Sequence, residues 1–255
     1  MNQISIYLSP IILIVFTSFI IGSLLYDHYQ RGYSFTSRSS NETIFIEQAL
    51  KRISRCNEED HLRQRALLYT LQTWNNLAQS YHLQYWIAYK TLAAYIQYND
   101  LSPYDNDIDI FIMYQDIPKL LNLSNANYSS TYELEIHPQW FITEVFNRSY
   151  TPSDIIGFTI QNARFINHDN NVSINIWPIY KYYNKHILLF VEYSDFDNLI
   201  LSPIEWTFPL EPCVFSGIKI WCPAQPKKLT TTLYKQTSLF VSCINGSWIR
   251  SISIE

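Results

Sequence analysis

Three aspartates spaced two residues apart in the stretch SPYDNDIDIFI have the types and spacing best suited to chemistry. Residues two apart on a strand face the same side, so Asp107 and Asp109 project together, away from the core that Ile108 enters. Two converging carboxylates repel each other and are favourable together chiefly around a divalent cation. The spacing therefore predicts a Mg²⁺ or Mn²⁺ site, with Asp105 in the turn just before it.

The same stretch has two other interpretations. It is compatible with a solvated, Asp-rich turn that merely ends a helix and begins a strand. A calcium loop of the EF-hand type is excluded, because the sixth position from Asp105 is Ile110, where such a loop needs a glycine.

Composition narrows the classes of partner. The 255 residues include 18 Lys and Arg against 22 Asp and Glu, a net charge of -4, so no general attraction to nucleic acid is expected. Only 5 residues are glycine, which argues against glycine-rich phosphate loops. His137 and His168 are candidates for a base, although a structural role is commoner for a lone histidine near a strand end.

The acidic stretch follows a helix, a strand and a second helix. An amphipathic helix is predicted from Asp60 to His82, capped by Asn57 or by Asp60 itself. QYWIAY and IDIFIMY read as strands on either side of the helical segment TLAAYIQYND, and a short helix is expected at residues 116–123. Further predicted strands are YELEIH, WFITEVF, GFTIQNARFI, VSINIWPIY and HILLFVEY, before a closing helix at residues 227–241. This mixture predicts an α+β fold.

The N-terminal region reads as a membrane anchor. Residues 4–26 carry no ionisable side chain except tyrosine and exceed the roughly 20 residues that span a bilayer as a helix. A cleaved signal peptide is the competing interpretation. The predicted organisation is a tail at residues 1–3, the anchor, a Ser-rich stem at 27–41 and one domain at 42–255.

Most signals favour a lumenal domain, although Arg31 and Arg38 after the span favour the opposite orientation. Four cysteines without a CxxC motif fit two disulfides, with Cys213 and Cys222 pairing across a hairpin and Cys56 and Cys243 as the second possible bridge. N-glycosylation sequons begin at Asn41, Asn122, Asn127, Asn147, Asn171 and Asn245.

The segment YWIAYKTLAAYIQYNDLSPYDNDIDIFI resembles the core motif of the LicD and fukutin family. VSINIWPIY and EWTFPLEPCVFSGIKIWCPAQPKKLTTTLY resemble two further parts of the family pattern. The resemblance implies a nucleotidyltransferase-like mixed sheet with packed helices. It also implies a phosphotransferase that moves ribitol phosphate, glycerol phosphate or phosphocholine from a CDP-linked donor to a glycan or glycoprotein, as a single-pass type II protein of the Golgi lumen.

The resemblance also implies roles for individual residues. Asp107 and Asp109 would ligate the metal, and Asp105 would orient them or contact a metal-bound water. Thr91 lies where the family's turn meets the donor phosphate, and Tyr104 replaces a tryptophan as an aromatic wall.

Several residues depart from the family pattern. Lys90 replaces the glycine before the turn threonine, and Ala94 replaces the glycine that closes the turn. Gln97 replaces an arginine, and Asn175 stands in place of a third acid, where its amide oxygen can still ligate Mg²⁺ without the charge. Lys90 can instead supply charge to the diphosphate. A catalytically inactive member that binds donor or glycan is therefore the alternative to an active transferase.

Overall fold

The predicted α+β architecture is present in a computed structural model that describes residues 40–124, 130–136, 163–181, 187–191, 199–233 and 239–252. The predicted tail, the anchor at 4–26 and most of the stem lie outside the described residues, as do His137 and the predicted strand WFITEVF. Within the described ranges, no helix is long and apolar enough to cross a bilayer.

Five α-helices and eleven strands lie among these described residues. The helices are α1 Ser40–Arg52, α2 Glu58–Ser80, α3 Tyr89–Tyr98, α4 Ile117–Ser124 and α5 Pro226–Leu233. The strands are β1 Tyr85–Ile87, β2 Asp107–Met113, β3 Tyr132–Ile136, β4 Ala163–Asn167, β5 Val172–Lys181, β6 Ile187–Val191, β7 Leu199–Pro203, β8 Glu211–Phe215, β9 Ile218–Cys222, β10 Leu239–Ile244 and β11 Ser247–Ile252. Asn57 caps α2, and Asp60 completes a reciprocal capping box with it.

A mixed sheet of seven strands forms the centre of the fold. Its main path runs β1-β2-β5-β4-β3, and the far end of β5 also pairs with β6, which pairs with β7. The pairing of β2 with β5 is parallel, whereas the other pairings in this sheet are antiparallel. Two separate hairpins, β8-β9 and β10-β11, complete the described strands.

Both faces of the sheet centre are buried, which explains the nearly unbroken apolar run of β2. On one face lies α2, whose Trp74 is fully buried and contacts the Phe165 ring at 5.5 Å. On the other face lies α3, whose Tyr89 ring is 4.8 Å from Phe111 and 5.1 Å from Trp177. The side chains of Asp107 and Asp109 belong to this second face.

The sequence analysis missed helix α1 and the β10-β11 hairpin, and it placed the end of the closing helix wrongly. Helix α1 was not expected, and it begins at Ser40, inside the predicted stem at 27–41. The closing helix ends at Leu233, and residues 239–244 form a strand instead of the end of a helix reaching 241. The β10-β11 hairpin turns at Asn245 and Gly246, which both have positive φ. An Asn-Gly dipeptide is a strong hairpin signal, so the sequence contained the information for this turn.

Both expected disulfides are formed, and one of them joins the ends of the described domain. Cys213 bonds Cys222 across the β8-β9 hairpin, and Cys56 bonds Cys243, which is 187 residues away. Close to the second bridge, Trp248 Nε1 donates to the buried Asp60 carboxylate at 2.8 Å. The C-terminal hairpin is thereby fixed to the start of α2.

The two disulfides are predicted to differ in their contribution to stability. Chain-entropy theory gives the bridge that closes the 187-residue separation about 2 to 3 kcal/mol more than the one that closes 9 residues. Replacing Cys56 and Cys243 by serine should therefore lower the urea midpoint further than replacing Cys213 and Cys222. Tryptophan fluorescence of the full chain in urea measures this, and equal midpoints for the two double variants would contradict it.

Candidate functional site

The register between β2 and β5 brings together the polar residues at the centre of the site. Asp109 lies directly beside Asn175, and Trp177 follows two residues farther along β5 on the same face. Ile108 and Ile110 point to the opposite face and are fully buried. The sequence prediction that the carboxylates of Asp107 and Asp109 share a face is therefore confirmed.

A single amide nitrogen connects the two carboxylates. Asn175 Nδ2 donates to Asp107 Oδ2 at 2.9 Å and to Asp109 Oδ1 at 3.2 Å. Two carboxylates within reach of one atom must lie close to each other, in the arrangement that favours a shared cation.

Two further groups hold Asp109 in place. Trp177 Nε1 donates to Asp109 Oδ1 at 3.0 Å. The hydroxyl oxygen of Thr91, in the first turn of α3, accepts the backbone N–H of Asp109 at 2.8 Å. The Thr91 side chain is fully buried, so in this structure it positions the strand that carries the acids.

Lys90 neutralises the outer carboxylate. Its ammonium forms an ion pair with Asp107 Oδ1, and the two side chains are 25% and 28% exposed. The pair is thus open to solvent, unlike Asp109, which is 1% exposed. A ligand can therefore approach the Asp107 side of the site.

Opposing influences act on the Asp109 carboxyl. Burial raises its pKa above the usual range, and the nearby Asp105 adds to the rise. The charge of Lys90 and the hydrogen bonds from Trp177 and Asn175 oppose this rise without cancelling it. Without a metal ion, the folded protein therefore disfavours the ionised form of the Asp109 carboxyl group.

The turn that carries Asp105 is held from outside the sheet. Arg63 of α2 donates from Nε to the Asp105 carbonyl at 3.0 Å and from Nη2 to the Pro103 carbonyl at 2.9 Å. The same guanidinium forms an ion pair with Asp60 at 2.6 Å. The Asp105 side chain itself is buried, with 7% exposure.

The structure gathers some predicted site residues and separates others. Within the network described above lie Asp107, Asp109, Asn175, Thr91 and Lys90. Tyr104 lies nearer the C-terminal hairpin, with its ring 6.1 Å from Trp248. The Nε2 atom of His168 lies 2.8 Å from a carboxylate oxygen of Glu133 in β3.

Sequence reasoning missed two contributors to this region. Trp177 was not among the predicted site residues, although its position two residues after Asn175 on a strand already placed both on one face. Arg63 gave no local signal, because its contacts with the acidic turn span about 40 residues of chain.

The residues present fit a hard divalent cation under two conditions. Carboxylate and amide oxygens are ligands that Mg²⁺ accepts. In the part of the chain that the structure describes, Asp109 Oδ2 is buried and has no hydrogen-bond partner. Binding requires the Lys90 ammonium to leave Asp107 and the Asn175 amide to turn its oxygen toward the carboxylates. Among the described residues, no three His, Cys, Asp or Glu side chains form a metal-binding group, so Asn175 would have to supply the third oxygen.

The chain is similar to a known protein family and to a curated protein. A family model described as "LicD/FKTN/FKRP, nucleotidyltransferase domain" matches residues 82–225, which is more than half of the chain and includes β2 and β5. An uncharacterized protein of Rickettsia prowazekii (strain Madrid E) is 22% identical over 161 residues, covering 63% of this chain and 51% of the relative. The chain thus spans about half the length of the curated relative it matches.

Isosteric amides at the two acids should have opposite effects on metal-free stability. Since the pKa of Asp109 is raised in the folded state, its ionisation costs stability increasingly as the pH rises through that pKa. Asp109→Asn should therefore stabilise the fold at neutral pH, by on the order of 1 kcal/mol, and the gain should shrink as the pH falls toward the ordinary carboxyl range. Asp107→Asn should be destabilising, because it leaves the Lys90 ammonium without its carboxylate.

Urea unfolding of both variants in chelator, at several pH values, measures these effects. Two outcomes would contradict the raised pKa of Asp109. One is a lower free energy of unfolding for Asp109→Asn than for the wild type at neutral pH, and the other is a gain in that free energy that does not change with pH.

Proposed function

Since the chain belongs to the LicD/FKTN/FKRP nucleotidyltransferase-domain family, we propose that it transfers a phosphorylated alcohol from a CDP-linked donor to a glycan hydroxyl. Family membership is consistent with transferase activity. The donor, the acceptor and the use of Mg²⁺ or Mn²⁺ are the specific parts of the proposal.

The observation that carries the proposal is the convergence of Asp107 and Asp109 on Asn175 Nδ2, at 2.9 and 3.2 Å. Such a pair at the start of a strand is costly to maintain, because buried charge lowers stability. Buried carboxylates whose pKa is shifted by their surroundings are typical of functional sites rather than of structural cores. A solvated Asp-rich turn, the simplest alternative for this stretch, would not bury Asp109 to 1% exposure.

The proposed reaction exchanges one bond to phosphorus for another. The acceptor hydroxyl oxygen bonds to the phosphorus that carries the alcohol, the bond from that phosphorus to the bridging oxygen breaks, and CMP leaves with the bridging oxygen. The hydroxyl proton passes to solvent or to a base. A bound Mg²⁺ or Mn²⁺, held by Asp107, Asp109 and Asn175, would neutralise charge on the diphosphate.

The chain's own residues would bind and orient the donor. Lys90 is a flexible cation at the open side of the site and can follow the negative charge of a diphosphate. Thr91 and Trp177 fix the buried carboxylate so that it keeps one orientation.

The proposal places the domain in the lumen of the secretory pathway, in the Golgi, behind an anchor at residues 4–26. Two disulfides support an oxidising compartment. The side chains of Asn122, Asn171 and Asn245 are exposed, as glycosylation of these sequons requires.

A second candidate function is binding of donor or glycan without turnover. It is favoured by the Lys90–Asp107 ion pair and by the neutral Asn175, which together give the site less negative charge for a metal. The two candidates share the same binding site and differ only in product formation.

Calorimetry with Mn²⁺ and CDP, followed by an activity panel, should test the proposal and separate the candidates. The full chain in detergent is expected to bind Mn²⁺ and CDP together. The double variant Asp107→Asn, Asp109→Asn should lose at least about tenfold in Mn²⁺ affinity, since both negative charges at the site are removed. Incubation with CDP-ribitol, CDP-glycerol and CDP-choline and a glycan acceptor should release CMP from one donor.

Each outcome has a separate meaning. Binding without CMP release selects the second candidate. Unchanged heats in the double variant, with its fold intact by circular dichroism, would refute the carboxylate pair as the binding site.

A further inference from the structure

The position of Lys90 is unusual for a lysine in a helix. It is the second residue of α3, within the first turn, where the positive end of the helix dipole disfavours a cation. The N-cap residue, Ala88, makes no side-chain cap hydrogen bond that would offset this effect. The attraction that holds the ammonium in this place is therefore that of the carboxylates.

The ion pair uses a carboxylate that a divalent cation would need. Lys90 contacts Oδ1 of Asp107, while Asn175 occupies Oδ2 of the same group. An ammonium and a divalent cation a few ångströms apart repel each other strongly in a partly buried site. Lysine and metal would therefore compete for Asp107.

The lysine can leave without disrupting the fold. Its side chain is 25% exposed and reaches the site from the surface on a flexible stem. By contrast, Asn175 and Trp177 are buried on β5, with 6% and 5% exposure, and cannot move into solvent in this way. Of the groups on the carboxylates, Lys90 is thus the one that can move to a new anion.

We propose that Lys90 is an internal counter-ion that competes with the divalent cation for Asp107, so that metal binds tightly only when an anionic nucleotide draws the ammonium away. This inference rests on the metal site of the proposed function. Because such coupling is reciprocal, metal and nucleotide each increase the affinity of the other. The consequence is a site that stays metal-poor until a donor arrives.

Calorimetric titration of the full chain with Mn²⁺, in the absence and presence of CDP, tests the inference. Lys90→Gln should bind Mn²⁺ about 5- to 50-fold more tightly than the wild type without CDP, and should show less enhancement by CDP. Lys90→Arg keeps the charge and should behave like the wild type. Lys119→Gln is the matched control, because Lys119 forms an ion pair with Asp116 near α4, outside the network around Asp107.

The outcomes separate the inference from the metal site. Equal Mn²⁺ affinity in Lys90→Gln and wild type overturns the inference and leaves the metal site intact. Absence of Mn²⁺ binding in every variant, with or without CDP, overturns both. Circular dichroism of each variant verifies folding, and if Lys90→Gln does not fold, Lys90→Met replaces it with the same expected gain in affinity.

Discussion

The parallel pairing of β2 with β5 is the constraint on which the candidate site depends. It places Asp109 beside Asn175 and brings the Trp177 ring nitrogen to the same carboxylate. A slip of one residue would turn every side chain of β2 to the opposite face, moving the acids into the contact with α2. The deeply buried isoleucines of β2 prevent such a slip, so the core fixes the geometry of the polar face.

Two elements supply the groups that hold the carboxylates. Strand β5 contributes the donors Asn175 and Trp177. Helix α3 contributes the Lys90 ammonium, and its Thr91 hydroxyl accepts the backbone N–H of Asp109. Among the described residues, this network leaves one buried oxygen of Asp109 without a partner and one carboxylate open to solvent. Under the proposed function, a cation and an anionic ligand would bind at these two positions.

Elements outside the family match support the acidic turn. Arg63 of α2 contacts the carbonyls of the turn, and its partner Asp60 also receives the indole N–H of Trp248 from the C-terminal hairpin. The Cys56–Cys243 disulfide secures that hairpin. A region before residue 82 and another after residue 225 thus cooperate to hold the segment that leads into the two acids.

Local periodicity was sufficient to predict α2, β2, the β8-β9 hairpin and the shared face of Asp107 and Asp109, because each depends on residues close together in the chain. The same reasoning should have found α1, because the buried residues Ile46, Ala49, Leu50 and Ile53 recur at helical spacing. The strand pair that replaces the end of the predicted closing helix was likewise signalled, by the Asn245-Gly246 turn. Residue types and spacing alone thus predicted a pair of acids and two disulfides from four cysteines, and the resemblance of three segments to a known pattern predicted the family, which the family match confirms. Only the tertiary structure decided that Lys90 neutralises Asp107, that Trp177 binds Asp109 and that Arg63 holds the turn, because these contacts depend on strand register and helix placement.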